Sequence, residues 1–212
     1  MPTSQPRTLT VIHSIIQKLA PQSLIDLGVG HGKTGVLTRE YLDIMRGNYS
    51  PDTWKARIYG IEVFEDYRNP LWDYVYDSVV IADALDGLKQ LPDVDLIVAL
   101  DIWEHFEPDY AQQVLETCLE KAQYLLISTP KNPREQGSVF GNVAETHVSR
   151  WEPVDFAQVP HLMVSSTAQD WILLLSRKSI PESVRVFGSP KARISEALRV
   201  AIPLWKVRQC NR

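Results

Sequence analysis

The feature that most constrains this chain is a run of glycines placed directly after a short apolar segment. Ser23-Leu24-Ile25-Asp26-Leu27 is followed by Gly28-Val29-Gly30-His31-Gly32-Lys33-Thr34-Gly35. Glycine reaches backbone conformations closed to other residues and leaves no Cβ to keep a ligand at a distance. A helix is expected next, over residues 34–45. A strand, a glycine turn and a helix in that order form the opening unit of a doubly wound α/β domain.

The rest of the chain repeats the alternation. Leu9, Ile12, Ile16 and Leu19 recur at helical spacing, and Pro21 places the end of that helix near Ala20. Strands rich in Ile, Leu and Val are expected at 23–27, 57–63, 78–82, 95–100 and 124–128. A helix is expected at 108–121, a loop at 46–55, and a final antiparallel pair at 162–166 and 171–176. Such strands imply a sheet covered on both faces. The expected fold is therefore a Rossmann-like, mostly parallel seven-stranded sheet with an antiparallel final pair. Ligands of such sheets bind beyond the carboxyl ends of the strands.

Charge divides the chain. The net charge is −4, but nine Lys or Arg against two Glu lie from Arg177 to Arg212, about +7, which leaves about −11 for the body. An acidic body argues against nucleic acid as the partner. We expect a domain at 1–178 and a basic tail at 179–212. In the tail, Ile194, Leu198, Ala201 and Ile202 suggest an amphipathic helix that packs on the domain, docks a partner or contacts an anionic membrane surface. No apolar run reaches the roughly 20 residues of a membrane span. The polar N-terminus and two distant cysteines, Cys118 and Cys210, point to a reducing, cytoplasmic setting.

Three readings of the glycine turn compete. Gly30-x-Gly32-x-x-Gly35 fits a dinucleotide turn. Gly32-Lys33-Thr34 ends like a phosphate-binding loop, but that loop needs glycine at position 27, where Leu stands. The third reading also uses the acids at the strand ends. Asp26 can meet a cationic amine, Glu62 can accept from two ribose hydroxyls, and Asp83 can accept from an adenine amino group. Each acid has an alternative use as a helix cap or a solvated charge.

This arrangement resembles the class I S-adenosylmethionine-dependent methyltransferases over residues 23–176. The resemblance implies Gly28, Gly30 and Gly32 under the methionine part of the cofactor, Glu62 on the ribose, and Asp83 with Ala84 at the adenine. Asp101 would approach the amino acid of the cofactor or the acceptor.

The substrate side carries three further segments: Asp101-Ile102-Trp103-Glu104-His105-Phe106, Ser128-Thr129-Pro130-Lys131, and Glu145-Thr146-His147. A hydroxyl acceptor needs a base, and His105 and His147 are the candidates, beside Glu104. Asp101, Glu104, His105 and His147 together offer oxygen and imidazole ligands suited to a divalent ion such as Mg²⁺. That pattern resembles ubiquinone-pathway O-methyltransferases and small-RNA 3′-end 2′-O-methyltransferases, which implies a metal gripping adjacent hydroxyls of the acceptor. Trp103, Phe106, Phe140 and Trp151 are candidate walls of an acceptor pocket, with core packing the stronger expectation for Phe106. Residues 131–144 read as a loop or lid, with Lys131 and Arg134 as candidate anion contacts. The leading expectation is methyl transfer to a small-molecule acceptor. The alternatives are a nucleotide-binding module or phosphate-loop NTPase, and a non-catalytic protein of the methyltransferase fold.

Overall fold

The computed structural model describes residues 4–187. The basic tail from 188 onward, including the helix expected there, lies outside the described residues. The strands are β1 (Ser23–Leu27), β2 (Arg57–Glu62), β3 (Ser78–Ile81), β4 (Val94–Leu100), β5 (Ala122–Pro130), β6 (His161–Ser166) and β7 (Asp170–Ser176). They form one sheet in the order β3-β2-β1-β4-β5-β7-β6. β3, β2, β1, β4 and β5 are parallel neighbours, whereas β7 runs antiparallel to both β5 and β6. The expected sheet is thus the observed one. The strand order reverses between β1 and β4, and that switch point opens the crevice used below.

Among the described residues five α-helices cover the sheet: α1 (Pro6–Leu19), α2 (Lys33–Leu42), α3 (Pro70–Val75), α4 (Ala84–Gln90) and α5 (Pro108–Lys121). Proline at the first turn starts α1, and Ala20 in the left-handed conformation ends it, its amide bonded to the Ile16 carbonyl. The pleat sends alternate residues to opposite faces. Leu24, Ile58, Leu96, Val98 and Leu126 meet Ile12, Ile16, Leu42 and Trp72 of α1, α2 and α3. Ile25, Leu27, Ile61, Ile97 and Leu125 meet Leu88, Val114, Leu115 and Cys118 of α4 and α5. No helix among the described residues is long and apolar enough to cross a membrane.

Two expectations need correction. The helix expected to reach Met45 stops at Leu42 and gives way to a 3-10 turn over Ile44–Arg46. Asp43 is the cause: it is fully buried, and its carboxylate accepts the Lys55 amide at 2.6 Å and an Arg39 guanidinium N–H at 2.7 Å. A side chain that ties the returning chain down there ends the helix. The second correction concerns the aromatic walls. Trp103 and Trp151 pack edge to face in the core with Phe156, at 0% and 1% exposure, while Phe140 is 73% exposed. Phe106, expected in the core, packs against it through Trp103 and is also the one of the four that lines the cavity.

Candidate active site

A cavity of about 920 Å³, counted with its open mouth, lies over the carboxyl ends of β1, β2 and β4. Its floor is the turn between β1 and α2. Gly28, Gly30 and Gly32 have φ of +88°, +52° and +83°. A Cβ on Gly28 would stand 2.6 Å from Cγ2 of Ile102, itself a lining residue, so only glycine fits there. Gly28, Val29 and Gly30 line the cavity; Gly32, at the N-terminus of α2, is not among the lining residues.

Four amides of this turn, those of Gly28, Val29, Gly30 and Gly32, are already committed. Gly28 and Val29 donate to the Ile61 carbonyl, and Gly30 donates to Oε2 of Glu62 at 2.8 Å. A phosphate-binding loop aims such amides at its anion. Here they are spent inside the protein, and one of them faces a carboxylate. The geometry therefore opposes the phosphate-loop reading.

The three strand-end acids go to three different places. Glu62 lines the cavity at 5% exposure. It accepts Gly30 through one oxygen and the Phe64 amide, at 3.0 Å, through the other. Each carboxylate oxygen has two lone pairs, so acceptor capacity remains. Burial pushes its carboxyl up, opposed by these backbone donors.

Asp26, expected to meet a ligand amine, is not among the lining residues. It shares a face with Leu24, and its Oδ2 accepts the Tyr76 hydroxyl at 2.6 Å. Burial pushes the Asp26 carboxyl up to about 7. The Tyr76 oxygen in turn accepts the Gly35 amide at 3.1 Å. A Cβ on Gly35 would sit 2.4 Å from the Tyr76 ring. The last glycine of the motif thus makes room for a tyrosine.

Asp83 is exposed and caps α4, accepting the Asp86 amide at 3.0 Å and the Tyr110 hydroxyl at 2.9 Å. These bonds hold its carboxyl below the usual range. Asp83 stands between Ala82 and Ala84, which line the cavity, and is not itself a lining residue.

The other end of the cavity is built from side chains. Asp101 lines it, in the left-handed conformation at φ +53°, and accepts the Ser128 hydroxyl at 2.7 Å. A non-glycine residue held there is a mark of functional sites. Glu104 and His105 sit in the 3-10 turn Trp103–His105. Among the described residues, Glu104, His105 and His147 each bring one ligand atom within 4.8 Å of the others, and of the three only His105 is a lining residue of the cavity; Asp101, the fourth expected ligand, lines the cavity but is not in that group.

Both histidines have a settled tautomer. Nδ1 of His105 lies 3.0 Å from the Thr146 carbonyl, and Nδ1 of His147 lies 2.7 Å from the Arg134 carbonyl. A carbonyl only accepts, so each Nδ1 carries the proton and each Nε2 keeps its lone pair. Burial lowers both imidazoles and favours their neutral form. Glu104 is 2% exposed and accepts the Thr129 hydroxyl at 3.0 Å; burial, and then Asp101, push its carboxyl well up.

Several lining residues went unassigned in the sequence: His31, Lys33, Tyr67, Asn142 and Glu145. Glu145 stood two positions before His147 and was the legible one. Lys131 is drawn to the Thr167 carbonyl and the Trp171 ring, and Arg134 is exposed; neither lines the cavity.

No protein-family model and no curated protein matches the chain. Solved structures do. An O-methyltransferase family protein from Burkholderia thailandensis superposes at TM-score 0.58 with 15% identity, over 82% of this chain and 57% of that one. A SAM-dependent methyltransferase from Archaeoglobus fulgidus gives TM-score 0.56 and 18% identity, over 80% and 94%. Magnesium protoporphyrin IX methyltransferase from Synechocystis PCC 6803, with bound SAM, gives 0.53 and 15%, over 81% and 79%. The chain spans little more than half the length of the first of these proteins. Strand order, switch point and these superpositions agree: the chain has the fold of the class I S-adenosylmethionine-dependent methyltransferases.

Proposed function

We propose that the chain is an S-adenosylmethionine-dependent methyltransferase acting on a hydroxyl of a small-molecule acceptor, with a divalent cation such as Mg²⁺ held by Glu104, His105 and His147. One observation carries this reading. The glycine turn and Glu62 share a cavity wall, and the same cavity ends at a histidine whose tautomer is fixed.

The residues present fit the cofactor. Bare backbone at Gly28 and Gly30 permits close approach, and Glu62 retains lone pairs for two ribose hydroxyls. Ala82, Ala84, Ile61 and Phe106 offer an apolar slot for a base, and Asp101 offers a carboxylate for an amino group. The cofactor supplies an activated methyl group. The chain's own task is to hold the acceptor in line and exclude water.

The donor set at the far end suits a hard or borderline divalent ion: a carboxylate oxygen and two neutral imidazoles. Such an ion would grip the acceptor oxygen and lower its pKa. Nε2 of His105 or His147 is otherwise the atom placed to take the hydroxyl proton.

A thermal-shift titration with S-adenosylhomocysteine, ATP and NAD tests the cofactor. Stabilisation by the first alone supports the proposal. Stabilisation by ATP or NAD alone would make the chain a nucleotide-binding module. Full turnover in excess chelator would remove the metal. Cofactor binding with no turnover across an acceptor screen would leave a non-catalytic member of the fold.

A further inference from the structure

The wall facing the glycine turn holds a carboxylate that the reading above does not use. Glu145 lines the cavity at 8% exposure, and its Oε1 accepts the Tyr67 hydroxyl at 3.1 Å. Tyr67 is itself fixed. Its ring packs against Phe64 and His31 at centroid distances of 4.9 and 5.2 Å, and its oxygen also accepts from the Asn142 side chain. The carboxylate is therefore anchored.

Its contacts fix its place along the cavity. The Tyr67 ring that latches it packs on His31 of the glycine turn, and Glu145 itself stands two residues before His147, whose ring meets that of His105 at 4.9 Å. If Glu62 holds the ribose and the histidines face the acceptor, the reacting centre passes between them, and Glu145 stands beside that passage. The lining is also unbalanced in charge. Glu62, Asp101 and Glu145 are acidic, against Lys33 as the one lysine or arginine among the lining residues described. A buried, water-poor carboxylate strengthens any interaction with a cation that enters.

We infer that Glu145 reads the charge of the donor, favouring a cationic centre at the sulfur position over the neutral thioether. The inference rests on the adenosyl reading proposed above. Loss of a methyl cation leaves the bonding electron pair on sulfur and the sulfur uncharged. The attraction is present before transfer and gone after it, so the same residue that retains the donor releases the product.

The test is calorimetric, on the full chain in excess chelator at neutral pH, with two stable ligands. One is S-adenosylhomocysteine, neutral at sulfur. The other is sinefungin, which carries an ammonium group in place of the sulfonium. The wild type binds sinefungin more tightly. Glu145→Gln keeps an oxygen for Tyr67, lowers sinefungin affinity by about tenfold, and changes S-adenosylhomocysteine affinity by less than about twofold. Equal loss for both ligands, or an unchanged preference, overturns the inference. Tyr67→Phe keeps the carboxylate and removes only the latch. It decides the matter even if the Gln variant fails to fold, because the preference persists if charge is read and disappears if loop position is what counts. Failure of the wild type to bind either ligand would instead bring down the adenosyl reading itself, and this inference with it.

Discussion

The two ends of the cavity are built by different means. The glycine-turn end is made of backbone: a turn with four of its amides already satisfied, with glycines that remove side chains and one acid, Glu62, that closes the turn as it faces the cavity. The histidine end is made of side chains from two segments about forty residues apart, joined when residues 131–149 fold back over the 3-10 turn. The amides of Val148 and Ser149 donate to the Glu104 carbonyl, and the His105 ring meets the His147 ring at 4.9 Å. Backbone-built sites fail through sterics. Side-chain-built sites fail through lost ligands, with the fold intact. The two ends should therefore respond differently to substitution.

The largest effect is expected at Gly28. Gly28→Ala places a Cβ 2.6 Å from Ile102 at a positive φ, which should cost about 2–4 kcal/mol and abolish cofactor binding. Gly47→Ala shares the positive φ but has nothing within 4 Å, and should cost only about 1 kcal/mol. Urea denaturation and calorimetry check both; similar costs would mean that backbone conformation, not the contact with Ile102, sets the requirement.

Next comes the histidine end. His147→Ala should weaken Mn²⁺ binding by about tenfold or more while S-adenosylhomocysteine affinity stays within about twofold. Loss of both together would erase the distinction between the two ends.

Asp26 gives a pH-dependent effect away from the cavity. Its carboxyl, raised to about 7, binds a proton in the folded chain that the unfolded chain releases near pH 4. Stability should therefore fall as pH rises from about 4 to 7. Asp26→Asn removes that loss, gaining on the order of 4 kcal/mol at pH 8 and only about 1 kcal/mol at pH 4.5. Denaturation at the two pH values decides it; a pH-independent gain would place the Asp26 proton elsewhere. The smallest effect is at Asp83, where alanine removes the cap of α4 at about 1 kcal/mol and leaves cofactor affinity nearly unchanged, as a parallel melt and titration would show.

The sheet was legible because each strand is a short apolar run and each break except the last, Thr167-Ala168-Gln169, carries Gly or Pro. The glycine-turn end was legible in part. Spacing located the turn and the three strand-end acids, but not the protein partners that Asp26 and Asp83 take up. Asp26 shares parity with Leu24 and so faces α1–α3, away from the cavity. Asp83 stands one residue before α4, where a carboxylate satisfies helix amides. The Tyr76–Asp26 bond was beyond sequence reasoning, because it joins residues fifty apart through a slot opened at Gly35. At the other end the histidines could be named, but their tautomers are set by the Thr146 and Arg134 carbonyls, which only the folded loop supplies.

The most direct measurement is a calorimetric titration of S-adenosylmethionine into the wild type and into Glu62→Gln. Micromolar binding by the wild type, weakened at least about tenfold by the exchange of one carboxylate oxygen for an amide, is the expected result. Equal affinity in the two proteins would mean that the acid at the tip of β2 does not hold the ligand, and that the cavity beside the glycine turn serves something else.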